Sequence, residues 1–174
     1  MNGREPKRAG GTSVFELLKK LLAGGADAEM AVSDPGRGPS PEELRLAACV
    51  LFLELAWADE EFSEEERIHL HGVMKRHFGL EDEEAEALLV TAEAERSKAV
   101  DLWQFTTLIR EHYSIGQKMV LAEAMWGLVY SDGVLSSHEG YLIRKLSKLL
   151  NIKIGYLSEA KRRWEVEKFN GGID

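Results

Sequence analysis

From Ser40 to the end of the chain, apolar residues recur at spacings of three and four, and no run alternates apolar with polar residues between turn pairs. This periodicity predicts helix after helix, at about 40–57, 63–78, 83–95, 101–113, 116–130, 136–150 and 155–169, with Gly79, Gly133 and Asn151 as ordinary helix punctuation. The expected fold is therefore an all-α bundle of about seven helices. The first of them opens on "SPEE", which offers Ser40 as N-cap, Pro41 at the first helical position and Glu43 to close a capping box. It then continues apolar almost all round through Leu44, Leu46, Cys49, Val50, Leu51, Phe52, Leu53, Leu55 and Trp57, a composition that only a central, buried helix tolerates. Upstream, residues 1–12 and 24–41 are polar or rich in Gly, Pro, Ala and Ser and read as flexible; between them "SVFELLKKLLA" predicts a short extra N-terminal amphipathic helix with Ser13 and Glu16 in capping-box spacing. Two segments follow, 1–39 as a flexible N-terminal segment with this helix and 40–170 as the helical domain. The short helix either docks on the domain or contacts a partner or a membrane surface.

Sliding the chain on itself by 73 residues aligns 46–70 with 119–143 without a gap. Trp57 then meets Tyr130, Asp59 meets Asp132, Phe62 meets Leu135, Ser63 meets Ser136 and Glu66 meets Glu139. Each copy reads as a helical hairpin, made of an apolar helix, a loop D-x-x-[FL]-S-x-x-E and an amphipathic helix. A hairpin that cannot cover its own apolar face packs against its duplicate, so a pseudo-twofold pair of hairpins is the expected core.

The comparison separates the skeleton of the loop from its decoration. "WADEEFSEEERIHL" holds six carboxylates within residues 59–66, yet Glu60, Glu61, Glu64 and Glu65 face Gly133, Val134, Ser137 and His138 in the second copy. Those four acids read as solvated charge about a helix start. Ser63 with Glu66, and Ser136 with Glu139, have the spacing of reciprocal N-caps, which accounts for them structurally. Asp59 and Asp132 fit turn formation, and also an oxygen-rich cluster: carboxylates repeated at two helix N-termini suit a hard divalent cation, calcium or magnesium. An EF-hand is excluded, since the twelfth position is Leu70 in one copy and Ile143 in the other. Glu54 and Glu123 interrupt otherwise apolar helices and require a partner or a route to water. Glu66 and His69 form a single E-x-x-H where a di-metal bundle needs two, because Leu142 follows Glu139; His69, His71 and His77 share no helix face.

A net charge of −8 argues against nucleic acid and for cations or basic partners. The lone Cys49 excludes an internal disulfide and fits a reducing, cytoplasmic setting. No apolar run is long enough to span a bilayer, and Arg4, Lys7 and Arg8 precede no secretory core. Without a phosphate loop, nucleophile elbow or zinc-protease motif, the expected protein is not an enzyme. "AKRRWEVEKF" is expected to lie against the body with its charges outward.

The paired "ADEEFSEEE" and "SDGVLSSHE" resemble the A-D-G-x-[ILF]-x-x-x-E pattern of the TerB-like tellurite resistance family, which is related to the N-terminal segment of a DnaJ-like membrane co-chaperone. The resemblance covers about residues 42–152. It implies an all-helical pseudo-twofold domain with an acidic metal site, carried here by Asp59, Glu66, Asp132 and Glu139, in a non-catalytic interaction or scaffolding module of a bacterial stress response with a protein partner. Glu60 stands where the pattern has Gly, which puts the tightness of the first loop in doubt. The alternative is a membrane-recruited adaptor or co-chaperone module acting through the N-terminal helix.

Overall fold

The structure is a computed structural model that describes residues 38–58, 62–130 and 137–170. These form seven helices and no strand: α1 (Pro41–Ala56), α2 (Glu64–Phe78), α3 (Asp82–Lys98), α4 (Trp103–His112), α5 (Ile115–Val129), α6 (Ser137–Leu149) and α7 (Ile154–Asn170). The expected N-terminal helix over residues 13–23 lies outside the described residues, as do Asp59, Asp132 and Ser136.

Local chemistry sets the helix starts. Ser40 and Glu43 exchange capping bonds at α1, and Pro41 follows at the position where a missing N–H costs nothing. Ser114 and Gln117 cap α5 in the same way, a signal that places the true start ahead of the expected Gly116. Gly79 ends α2 in the left-handed region at φ 63°, and Asn151 adopts φ 56° after α6.

Packing follows from the apolar composition of α1. Residues 47–53 and Leu55 are all buried, and α1 touches α2, α3, α4, α5 and α6. The first helix of each repeat packs most extensively on the third of that repeat, α1 on α3 and α5 on α7, with α4 bridging the two sets. The duplication thus extends beyond the hairpins to a helix that the ungapped alignment does not reach.

The copies diverge at one offset-related position. In the first, Glu54 pairs with Arg96 of α3 at 3.2 Å. In the second, Gly127 leaves room for Trp164 of α7, which stacks on Tyr130 at 5.2 Å. Both interrupting glutamates find cations, since Glu123 meets Arg163 at 3.5 Å. Of the α7 charges expected to point outward, Arg162, Arg163 and Lys168 are exposed and Lys161 is half-buried; Arg162 and Arg163 both pair with Glu159.

Two predictions follow from this packing. A Cβ at Gly127 would stand 3.0 Å from Trp164 Nε1, so Gly127→Ala must displace the indole and is expected to cost about 1–3 kcal/mol in chemical denaturation. His77, edge-on to Phe52 and Phe78, is held by desolvation at a pKa of about 4. The unfolded chain binds a proton there below its ordinary pKa of 6.5, while the folded chain does not until about 4. Stability from His77 is therefore present above pH 6.5 and is lost as pH falls toward 4. Replacing it with Phe should flatten that limb of the stability curve, measured by urea melts across the window.

Candidate functional site

The C-terminal ends of α1 and α5 lie beside the starts of α2 and α6. Where these four ends meet there is a cavity of about 30 Å³. Six of its lining residues form three pairs related by the 73-residue offset, Leu55 with Leu128, Ala56 with Val129, and Glu66 with Glu139; Ala58 and His69 complete it. A wall assembled from matched positions of the two copies is what a pseudo-twofold arrangement generates on its axis. Of the four acidic residues marked by the repeat, the structure brings Glu66 and Glu139 to this one cavity; Asp59 and Asp132 lie outside the described residues.

Glu66 is partly committed to its own helix. The Ser63 backbone N–H donates to Glu66 Oε2 at 2.7 Å, the Ser63 hydroxyl donates to the same oxygen at 2.8 Å, and the Glu66 N–H donates to Ser63 Oγ at 3.2 Å. All the carboxylate's capping bonds use Oε2, which leaves Oε1 outside the cap. Capping and ligation therefore do not compete for the same atom. Glu64 and Glu65 are exposed, as solvated first-turn charge should be.

Sequence reasoning set His69 aside, and the structure gives it a place in the site. One turn beyond Glu66, it lines the cavity, and its Nε2 is buried without a hydrogen-bond partner. It also lines a second, larger groove of about 560 Å³ between α2, α5 and α7, floored by Tyr130 and Trp164. The offset partner of His69 is Leu142, which does not line the cavity. The only sequence signal was the unmatched E-x-x-H. Among the described residues, no three His, Cys, Asp or Glu side chains are placed to hold one metal ion.

A family model for tellurite resistance protein TerB matches residues 45–162, about two thirds of the chain, and the chain belongs to this family. The match covers the cavity, both motif copies and most of α7. No curated protein and no solved structure matches the chain. Among the described residues, no helix is long and apolar enough to cross a membrane.

Ser63→Ala removes the observed cap and is expected to cost about 0.5–2 kcal/mol. His69→Leu, which installs the second copy's residue, removes an unsatisfied buried nitrogen and should raise ion-free stability by about 1 kcal/mol. Both effects are read from denaturation midpoints at constant slope.

Proposed function

We propose that the protein is a non-catalytic interaction module of a tellurite or stress-response system, whose acidic cluster of Asp59, Glu66, Asp132 and Glu139 binds one divalent cation, calcium or magnesium. The observation that carries this reading is the placement of Glu66 and Glu139, from separate repeats, in the lining of one small cavity. Its volume, about 30 Å³, is above the roughly 10–15 Å³ that one water needs and suits a single ion. A lysine or arginine side chain from a partner does not fit inside it. A basic partner would therefore meet this surface at the rim, and the ion and the partner need not compete for the same space. Oxygen donors favour a hard cation.

The ion would tie the two repeats together. With nothing bound, like charges gathered at one point oppose folding; with an ion, the same charges favour it. On this reading the output is a scaffold whose rigidity follows divalent ion concentration. The protein partner is expected to be basic, given the net charge of −8.

Replacing Asp59 and Asp132 together by Asn should raise the melting temperature of the ion-free protein and abolish its rise on adding calcium or magnesium. At an ion concentration a hundredfold above Kd, the wild-type protein should gain about 2.7 kcal/mol. Glu66→Gln with Glu139→Gln should act in the same direction, because Gln still serves the capping box at position 66. If the carboxylates only cap their own helices, the Asn pair will be neutral or destabilising and divalent ions will change nothing, which would sink the shared-site reading.

A further inference from the structure

The two copies differ along one helix face. On α1, Ala47, Val50 and Leu51 are all withdrawn from water. Their offset partners on α5 are Val120, Glu123 and Ala124, and none of these is buried: Val120 is 50% exposed, and all three line the groove of about 560 Å³ between α2, α5 and α7. The face that the first copy covers with protein is thus left open in the second. Glutamate in place of Val50 and alanine in place of Leu51 leave room where α1 packs side chains. The volume lies within the roughly 300–1,000 Å³ of pockets that hold one small organic molecule.

The groove combines apolar walls with hydrogen-bond donors that have nothing to donate to. Val120 and Ala124 supply apolar surface beside the stacked rings of Tyr130 and Trp164. The Trp126 indole donates to the Leu157 carbonyl, whereas Trp164 Nε1, set against Gly127, has no acceptor among the described residues. The Arg76 guanidinium lies beside Gly72, 3.3 Å from where a Cβ would stand, and has no carboxylate partner among the described residues. Lys168 Nζ rests 5.1 Å from the Trp164 ring centroid and is likewise without a carboxylate. Of the two acids in the lining, Glu123 is paired to Arg163, which leaves Glu167 against two cations. His77 adds no charge near neutral pH, since burial lowers its pKa to about 4. On a chain of net charge −8, an apolar groove with unpaired cations in surplus favours an anion.

We propose that this groove binds one small amphipathic carboxylate, its apolar body against Val120 and Ala124 and its acid head met by the cations of Arg76 and Lys168. Inorganic phosphate would leave the apolar wall unused, and an alkylammonium would face two cations. The proposal goes beyond the ion reading and does not rest on it, since none of its residues belongs to the cluster of Asp59, Glu66, Asp132 and Glu139.

The test is isothermal titration of the full chain, in EDTA, with three ligands that share one alkyl body: sodium octanoate, 1-octanol and octylammonium chloride. Wild type should bind octanoate about tenfold more tightly than octanol, because two part-exposed cations each contribute about threefold. Octylammonium should bind more weakly than octanol. Arg76→Gln and Lys168→Gln, both at exposed helical positions where Gln is well tolerated, should each lose about threefold for octanoate and nothing for octanol. Val120→Asp sets a charge on the apolar wall at a half-exposed position and should abolish binding of both. Lys145→Gln makes the same charge change on α6, outside the groove, and should leave octanoate affinity at the wild-type value. Equal affinity for octanoate and octanol, or a loss in Lys145→Gln as large as in the two groove variants, would overturn the assignment of an acid. Octanoate binding that survives Val120→Asp, or none by the wild-type protein, would overturn the groove as its site. EDTA removes divalent ions throughout, so none of these outcomes bears on the ion reading.

Discussion

The requirement to bury α1 on every side governs the rest of the molecule. A helix with Ala47 to Leu53 and Leu55 all withdrawn from water needs neighbours around its whole circumference, and one hairpin partner covers only one side. The second copy brings another such helix, α5, with Leu121, Ala122, Met125, Leu128 and Val129 buried in turn. Packing the two apolar helices together relieves both at once, and α3 and α7 close the outer flanks. The same arrangement brings the C-terminal ends of α1 and α5 to one cavity. The starts of α2 and α6 lie at the same cavity, so Glu66 and Glu139 line it together because the apolar helices pack.

Once the axis is fixed, the flanks are free to differ. Glu54 and Gly127 are related by the offset, yet the first anchors its third helix through an ion pair with Arg96 and the second through an indole seated where a Cβ would stand. A half-exposed ion pair is worth little by itself. Arg96 adds a contact to the Trp57 ring, and Trp126 adds a hydrogen bond from its indole Nε1 to the Leu157 carbonyl at 3.1 Å, tying α5 to α7. Different chemistry thus delivers the same service, holding a third helix against the end of a first.

The helices were legible because their signals are local. Apolar periodicity, Ser-x-x-Glu caps and glycine stops act within one or two turns, and the expected elements match the observed ones to within a few residues. The largest departure is α3, which continues to Lys98 beyond the expected end at Glu95. Its final turn carries Arg96, whose partners Glu54 and Trp57 are some forty residues distant in sequence, and nothing in the local pattern announces them. The duplication was legible over two helices and opaque over the third for the same reason. Matching α1 with α5 and α2 with α6 depends on shared motif residues, whereas α3 and α7 kept only their packing role. His69 was hidden in another way: Leu142 at the matched position made it look incidental, and only the cavity shows that its Nε2 is buried unsatisfied.

That nitrogen also bears on how the site could communicate. His69 stands between two spaces, a cavity that admits one ion and a groove about twenty times larger with an aromatic floor. An ion drawn against Glu66 would act one turn from His69 on the same helix, α2, and the opposite wall of the groove is α7, which carries Lys161 and Trp164. Both spaces therefore share α2 and α5 as walls. A change in how tightly Glu66 and Glu139 approach would alter the separation of α2 and α6, the helices that carry them. His69 is the residue common to both linings, so any movement of α2 bears on both spaces.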